Sequence, residues 1–420
     1  MGAAETRRLV AAGAIGNILE WYDFAIYGYF AAAIGRTFFP KEDDLAQILA
    51  AFGVFAVGYF MRPLGGALVG HIGDKFGRRT ALTFSVTAMA LPTVLVGVLP
   101  GYDVLGVAAP VLLTLLRMIQ GLSVGGEYTT SVVFMVEQAP PGRRGMLGAM
   151  AGCGAVGGIL LGSATGALVT RLLPPSDMNG WGWRIPFIVG LLVGFAGYLL
   201  RRNMRETGIQ KHERSPVVET FRSHGALLGR LAGLSAFNAV GFYLIFVYLV
   251  SWLQLADGIA PVRALEINTF NMALLLPVIL VAGILSDRIG RKPMLLVATA
   301  VAFFAALPLF WLMHHDRAGL ALLGQLGFVL TVGTFIGIQP SLMVEEVPAS
   351  VRCTAVALGY NVTLGIVGGL SPLVATWLVH RTENELSPAF MIMLAAAVSF
   401  LAVRLFTENS RAALQTAPSS

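Results

Sequence analysis

Three polar side chains, Asn17, Glu20 and Asp23, recur every three residues within an apolar run that extends from about Leu9 to Ile34. A spacing of three places them on one face of a helix, and the run is long enough to cross a bilayer. A carboxylate at the bilayer centre costs about 2.5 kcal/mol or more, so its presence there indicates a function. Two neighbouring carboxylates in a low-dielectric environment cannot both ionise cheaply. One of them is therefore expected to bind and release a proton.

A buried basic residue, Arg117, lies at a matching depth in another apolar run that starts near Leu105. At 1.5 Å per residue, Glu20 and Asp23 lie ~17 and ~21 Å along their helix, and Arg117 lies ~18 Å along its own. A guanidinium group suits bidentate binding of a carboxylate. We predict that Arg117 binds a substrate carboxylate, while Asp23, or alternatively Glu20, carries a coupled proton. A static ion pair that joins the two helices is the alternative interpretation.

The composition indicates which elements hold these charges. The chain of 420 residues is 56% hydrophobic and only 12% charged, whereas soluble domains are nearer 25% charged. Its mean hydropathy is +0.74, and apolar runs of roughly 20 residues indicate membrane-spanning helices. We predict twelve of them, at about residues 9–34, 45–69, 80–99, 105–136, 146–173, 184–201, 227–255, 265–286, 294–313, 318–344, 352–379 and 388–406.

The net charge of +6 follows from short basic clusters between the hydrophobic spans. This distribution is typical of membrane topology and does not indicate nucleic-acid binding. We predict a multi-pass protein of the cell inner membrane with both termini in the cytoplasm. Glu20 and Asp23 would interrupt the apolar region of a cleaved signal peptide, so the first helix is expected to remain as a span.

The two halves of the chain repeat each other. GHIGDKFGRR (Gly70–Arg79) corresponds to GILSDRIGRK (Gly283–Lys292), and FMVEQAPPGRRG (Phe134–Gly145) corresponds to LMVEEVPASVRC (Leu342–Cys353). Such a repeat is typical of secondary transporters, whose substrate site lies between the halves near the midplane. We predict an all-α polytopic membrane protein with two pseudo-symmetric six-helix bundles. The predicted divisions are residues 1–201, a cytoplasmic linker at 202–225, and residues 226–420.

Further candidate residues fall into two groups. Neutral polar residues within predicted spans are candidate substrate contacts, namely Asn17, Tyr27, Asn238, Tyr243 and Asn361. Charged residues in or beside the repeated motifs are candidate gating residues that control the conformational state, namely Asp74, Arg78, Arg79, Glu137, Arg144, Asp287, Arg291, Glu345 and Arg352. Because Arg144 and Arg352 occupy matched positions of the repeat, they are expected to form gating networks with Glu137 and Glu345. Arg62, which precedes Pro63 near the end of the second span, is expected to snorkel or form an ion pair rather than bind substrate.

The repeated loop motif, G-x-x-x-D-K/R-x-G-R-K/R, resembles the signature of the major facilitator superfamily. Within it, the chain resembles the metabolite:proton symporter family through five segments: GNILEWYDFAIYGYF, FFP, RPLGG, RMIQGLSVGGEYTTS and WGWRIPF. The resemblance implies the fold of that superfamily and a proton-coupled importer of a small polar metabolite. Members of the family carry organic acids, shikimate, and betaines or proline.

Several functions remain open at this stage. We expect a symporter for a di- or tricarboxylate, because the chain lacks the coiled-coil C-terminal extension of osmosensing betaine carriers. A proton-coupled symporter of a betaine-type zwitterion, or an efflux carrier of the same fold, is the alternative. No nucleophile–base set or metal cluster is recognisable, so neither an enzyme nor a cofactor or metal site is expected. The expected partners are the metabolite, protons and the bilayer, without nucleic acid, and the chain is expected to be a monomer.

Overall fold

The computed structural model describes residues 17–40, 43–66, 68, 78–137, 139–140, 142–202, 222–315, 317–348, 352–412 and 414. Within these ranges it contains twelve helical spans and no strand, which confirms the predicted all-α fold. They are α1 (17–38), α2 (Asp44–Gly66), α3 (Arg78–Val98), α4 (102–137), α5 (Arg144–Leu172), α6 (182–202), α7 (Gly225–Ala256), α8 (Pro261–Ile289), α9 (Arg291–Met313), α10 (Ala318–Glu346), α11 (352–382) and α12 (Ser387–Arg404).

Some of these spans are not continuous. Single turns interrupt α1 at Phe30, α2 at Met61, and α4 at residues 106–107 and 125–126. A short helix, Pro175–Gly180, joins α5 to α6. The twelve observed spans agree with the twelve expected from hydropathy to within a few residues at most ends. The exception is the predicted start of the first span at about residue 9, which lies outside the described residues.

Eight of the described helices are long and apolar enough to cross a membrane. Their outward faces carry large apolar side chains, among them Phe304, Trp311 and Leu394, which are 60–76% exposed. In water such a surface would be unfavourable, whereas a bilayer solvates it. The exposed apolar surface therefore fits a membrane-embedded molecule.

The two halves meet along corresponding helices. In the described residues, α5 packs against α8 and α10, α2 packs against α11, and α4 packs against α10 and α11. The crossing of α5 and α8 is close because Gly145 and Gly283 face each other there: a Cβ on Gly283 would lie 2.6 Å from the Gly145 carbonyl oxygen. The domain boundaries stay a prediction, since residues 203–221 of the expected linker lie outside the described ranges.

Two spans of the C-terminal half contain a π-helical turn. These turns are Leu244–Tyr248 in α7 and Leu364–Gly368 in α11. A π turn holds one residue more than an α turn and occurs frequently at functional sites. Both turns adjoin the cavity described next.

Candidate functional site

A small cavity lies between the two halves of the molecule. Its walls come from α1, α4 and α5 on one side and from α7, α10 and α11 on the other, with the lining residues Trp21, Tyr128, Gly152, Ala155, Val156, Asn238, Phe242, Tyr243, Ile336, Tyr360 and Leu364. These side chains are aromatic, aliphatic or neutral. The position agrees with the site expected for a transporter built from two repeats.

Five aromatic rings surround much of this cavity. Trp21 is 5.8 Å from Phe242 and 6.3 Å from Tyr243, measured between ring centroids. Tyr128 stacks on Tyr360 across the halves at 5.1 Å. We call Trp21, Tyr128, Phe242, Tyr243 and Tyr360 the aromatic cage. Because the face of an aromatic ring carries a negative electrostatic potential, such a cage can attract an organic cation.

An ion pair lies directly beside the aromatic cage. The Nη2 of Arg62 donates to Oε1 of Glu20 at 3.0 Å, and both side chains are almost completely buried. The Arg62 guanidinium carbon lies 5.6 Å from the ring centre of Trp21 and 5.3 Å from that of Tyr59. Among the described residues, Arg62 Nε and Nη1 have no hydrogen-bond partner. Arg62 therefore retains donors for a further acceptor at the cage.

A second ion pair lies within the N-terminal half. Nη1 of Arg117 donates to Oδ2 of Asp23 at 2.6 Å, and neither side chain is exposed. Thr93 Oγ1 and Gln120 Nε2 both donate to Oδ1 of Asp23, at 2.6 and 2.8 Å. The Arg117 guanidinium carbon lies 4.3 Å from the ring centre of Tyr27. The two carboxylate oxygens of Asp23 thus accept three hydrogen bonds, all from this half.

The sequence reasoning placed Glu20, Asp23 and Arg117 in one site, and this grouping needs correction. Each carboxylate has its own arginine, because Arg62 extends from α2 to Glu20 while Arg117 extends from α4 to Asp23. The sequence predicts that Arg62 snorkels or forms an ion pair rather than binds substrate; it forms a pair and is completely buried. Whether it also contacts substrate stays a prediction. The sequence signal was present, since an arginine inside an apolar span requires a partner.

The predicted substrate contacts lie in different places. Asn238 and Tyr243 line the cavity, where Asn238 donates to Gln339 Oε1 at 2.8 Å and the Tyr243 hydroxyl donates to that of Tyr59 at 2.8 Å. The remaining predicted contacts, Asn17, Tyr27 and Asn361, and the predicted ligand Arg117 are not among the lining residues. Each of the three polar contacts donates to a protein oxygen instead: Asn17 to Ser131 Oγ at 3.3 Å, the Tyr27 hydroxyl to the Ala51 carbonyl at 3.0 Å, and Asn361 to the Gly125 carbonyl at 2.9 Å. Sequence reasoning missed Trp21, Tyr128, Phe242 and Tyr360, because buried aromatic residues are common in any helical core.

Charged residues join the halves at one end of the molecule. Asp287 accepts hydrogen bonds from the backbone N–H groups of Gly145 at 2.9 Å and Met146 at 3.1 Å. Arg291 lies 2.7 Å from Asp287 and 3.2 Å from Glu345. These contacts form a charged network that connects α5 to α8, α9 and α10.

Two further ion pairs extend this charged network across the halves. Arg144 lies 3.8 Å from Glu345, and Arg352 lies 2.6 Å from Glu137. The predicted association of these four residues is thus present as two pairs, each with one member in either half. Asp74 lies outside the described residues, and of Arg78 and Arg79 only the backbone, at the start of α3, is described.

Polar contacts also join the halves on the other side of the cavity. The Tyr29 hydroxyl donates to the Phe246 carbonyl at 3.0 Å, and Asn268 donates to the Tyr29 hydroxyl at 3.0 Å. Ser163 and Thr269 share a hydrogen bond of 2.6 Å. With contacts between the halves on both sides, the cavity is occluded.

Comparison with known proteins agrees with this geometry. The sequence matches the Major Facilitator Superfamily over residues 13–372. It is 34% identical to the glycine betaine/proline/ectoine/pipecolic acid transporter OusA of Dickeya dadantii, with 98% of this chain and 85% of the relative covered. It is 33% identical to the proline/betaine transporter of Escherichia coli strain K12, with 94% and 82% covered. The fold is similar to that of a D-xylose–proton symporter, with a TM-score of 0.79 at 19% identity over 97% of this chain and 99% of the other.

An occluded cavity between two repeated helix bundles is typical of secondary transporters. The chain belongs to the major facilitator superfamily. Both of these relatives are named as transporters of betaine and proline.

Proposed function

We propose that this protein is a proton-coupled symporter that imports a small zwitterion of the betaine or proline class. The observation that carries the proposal is the aromatic cage with the Arg62–Glu20 pair beside it. Quaternary ammonium groups bind to aromatic cages through cation–π attraction. The unpaired donors of Arg62 suit the carboxylate of the same small molecule. The cavity and the arginine beside its Trp21 wall thus offer a partner for each charge of a betaine.

A di- or tricarboxylate fits this cavity less well. Its two or three negative charges would lie against the electronegative faces of the cage, whose lining side chains are uncharged. Each uncompensated charge in a low-dielectric cavity is costly. Arg117 lies against Phe24 and Tyr27 and not against a ring of the cage; its Nη1 donates to Asp23 and Gln120, while its Nε and Nη2 have no hydrogen-bond partner among the described residues. This distribution of charge favours a zwitterion.

Asp23 is the proposed site of the coupled proton, with Glu20 as the alternative. Both lie on α1, on either side of the cage residue Trp21. A proton on Asp23 neutralises the carboxylate that holds Arg117, so α1 is then held less firmly to α4. Because Trp21 moves with α1, occupancy of the cage and protonation of Asp23 become linked, and linkage between two binding events is reciprocal.

The remaining roles follow from alternating access. The charged network of Asp287, Arg291, Glu345 and their partners is the proposed gate at one end, with Asp74, Arg78 and Arg79 as the corresponding gate in the first repeat. Asn238 and Tyr243 are proposed substrate contacts, and Asn17, Tyr27 and Asn361 are proposed to become contacts in other states. We further propose a monomer in the cell inner membrane, with both termini in the cytoplasm.

The test is transport by purified protein in liposomes. With an acidic exterior, we expect accumulation of radiolabelled glycine betaine and proline, and its loss when a protonophore removes the gradient.

Trp21→Leu removes an electron-rich ring from the cage and is expected to raise the KM for glycine betaine at least tenfold, since a desolvated cation–π contact is worth about 2 kcal/mol. The KM of Trp21→Phe should lie between those of the wild type and Trp21→Leu. Trp181→Leu, at an exposed position, is the control and should have the KM of the wild type.

Other outcomes would contradict this function. Accumulation of citrate but not of betaine would support the organic-acid alternative. Extrusion of substrate under the same gradient would identify an efflux carrier. Equal KM values in wild type and Trp21→Leu would remove the cage from the substrate site.

A further inference from the structure

A cluster of three metal-ligating side chains lies far from the transport cavity. Asp257 follows the end of α7, His314 follows the end of α9, and Glu385 precedes the start of α12. The cluster and Arg291 are at opposite ends of α9, whose 23 residues span ~35 Å. The cluster is therefore at the end of the C-terminal half opposite the charged network.

The ligand atoms of the three side chains converge. Nδ1 of His314 lies 2.6 Å from Oδ1 of Asp257 and 3.3 Å from Oε2 of Glu385. One ligand atom from each residue lies within 4.8 Å of the other two. The Trp252 indole N–H donates to the Glu385 carbonyl at 2.9 Å, and its ring centre is 5.9 Å from that of His314. The aromatic contact and the hydrogen bond hold two of the three residues in place.

An unsatisfied buried oxygen indicates that the cluster lacks one component. The Asp257 side chain is only 4% exposed, and among the described residues its Oδ2 has no hydrogen-bond partner. A buried, partly unsatisfied carboxylate is energetically unfavourable unless a cation accompanies it.

We propose that Asp257, His314 and Glu385 bind one divalent cation of the Zn²⁺ class. One imidazole nitrogen and two carboxylate oxygens are ligands that Zn²⁺ accepts at about 2.0–2.2 Å, with a water molecule as the fourth ligand. Two ligands of one tetrahedral ion lie roughly 3.3–3.5 Å apart at such bond lengths, so the observed separations need only small side-chain movements. Mg²⁺ and Ca²⁺ prefer ligand sets made of oxygen alone.

Metal binding at this cluster replaces a hydrogen bond with coordination bonds. The proton between His314 Nδ1 and Asp257 Oδ1 leaves this hydrogen bond, because a ligating nitrogen must carry a lone pair. A neutral imidazole then carries its one N–H on Nε2. The bound ion would join the ends of α7, α9 and α12 through three separate turns. The metal-bound form is therefore expected to be more stable than the metal-free form, by mass action.

The experiment measures binding to purified full-length protein that carries no polyhistidine tag and has been treated with a chelator. Calorimetry with ZnCl₂ is expected to give one site per chain, and CoCl₂ is expected to give the intense visible absorption of tetrahedral Co²⁺. His314→Gln, Asp257→Asn and Glu385→Gln should each weaken Zn²⁺ binding at least tenfold. His314→Cys replaces one Zn²⁺ ligand with another and should retain the site.

Matched controls and contrary outcomes are available. His380→Gln and Glu383→Gln change exposed residues close in sequence and should bind Zn²⁺ as the wild type does. If Asp257→Asn fails to fold, Glu385→Gln still tests the site, because the Glu385 side chain is partly exposed. Absence of Zn²⁺ binding, unchanged affinity in His314→Gln, or tighter binding of Mg²⁺ or Ca²⁺ than of Zn²⁺ would each overturn the proposal. None of these readouts depends on transport.

Discussion

At the scale of single residues, the main feature is the separation of two buried carboxylates into two ion pairs. Glu20 and Asp23 lie one helical turn apart, yet Arg62 pairs with one and Arg117 with the other. Separate partners allow the two carboxylates separate roles. Glu20 belongs to the cage region through Arg62, whereas Asp23 belongs to a network within the N-terminal half.

This division yields a prediction for Asp23→Asn. The amide cannot carry the coupled proton, but it still accepts hydrogen bonds from Thr93 and Gln120 through its oxygen. We expect proton-driven accumulation in liposomes to fall at least tenfold, while exchange of internal for external substrate continues. Asp177→Asn, in the short helix Pro175–Gly180 away from the Arg117 pair, is the control. Accumulation against a gradient by Asp23→Asn would instead assign the proton to another carboxylate, with Glu20 tested first.

The sequence predicted part of this site. The spacing of Glu20 and Asp23 and the depth of Arg117 predicted buried charges, and the Asp23–Arg117 pair is present. The partner of Glu20 could not be assigned, because pairing depends on how α2 lies against α1 and not on spacing within one helix. The cluster of Asp257, His314 and Glu385 was missed for the same reason, since its members come from three separate turns.

At the scale of helices, the crossing of α5 and α8 determines how closely the halves approach. Gly145 and Gly283 face each other, and a Cβ on Gly283 would lie 2.6 Å from both the Gly145 oxygen and the Ala149 Cβ. Backbone atoms cannot move aside as a flexible side chain can. The close approach in turn lets Asp287 accept from the backbone of the opposite half.

Gly283→Ala is therefore predicted to weaken closure at the charged network. Overpacking costs roughly 1–3 kcal/mol, and separation of the halves at this end relieves it. With both native cysteines replaced, a reporter cysteine at Ser341, whose hydroxyl donates to the Arg144 carbonyl at 2.8 Å, should react several-fold faster with a maleimide. Gly157→Ala, which has no atoms within 4 Å of its added Cβ, should leave the rate unchanged. An unchanged rate in Gly283→Ala would contradict this account of the crossing.

Helix positions were largely predictable because hydrophobic run lengths reflect bilayer thickness. The span expected at 318–344, for example, is observed as Ala318–Glu346. The interruption of α4 at residues 125–126 was not expected, because Gly125 and Gly126 are compatible with a continuous helix in a membrane. At Gly125 a Cβ would collide with the backbone of α2, so tertiary packing decides the local structure there.

At the scale of the whole molecule, charge pairs between the halves stabilise the occluded arrangement. Arg144 of the N-terminal half lies near Glu345 of the C-terminal half, and Arg352 of the C-terminal half contacts Glu137 of the N-terminal half. The repeat predicted that these four residues act together. It could not predict which residue pairs with which, because this depends on the relative placement of the halves.

Reversal of one such pair tests this role. Glu137→Arg places two guanidinium groups together and is expected to increase maleimide reactivity at the Ser341 reporter several-fold. The double change Glu137→Arg with Arg352→Glu should recover at least half of that effect, because attraction between the halves is restored. Arg381→Glu with Glu383→Arg, which exchanges two exposed charges at the other end, is the control. If the double variant is as reactive as the single one, the pair does not stabilise closure.

The π turns of α7 and α11 make the two halves mechanically unequal. Conversion of a π turn to α geometry rotates the following segment by ~100° and shifts it by ~1.5 Å. One turn, Leu244–Tyr248, directly follows Tyr243 of the aromatic cage, and the other begins at Leu364 in the cavity wall. Among the described residues before 203, the helices contain no such turn. The C-terminal half thus has two π turns beside the cavity whose conversion would reorient the cavity wall, whereas the interruptions in the N-terminal half are the single turns of α1, α2 and α4.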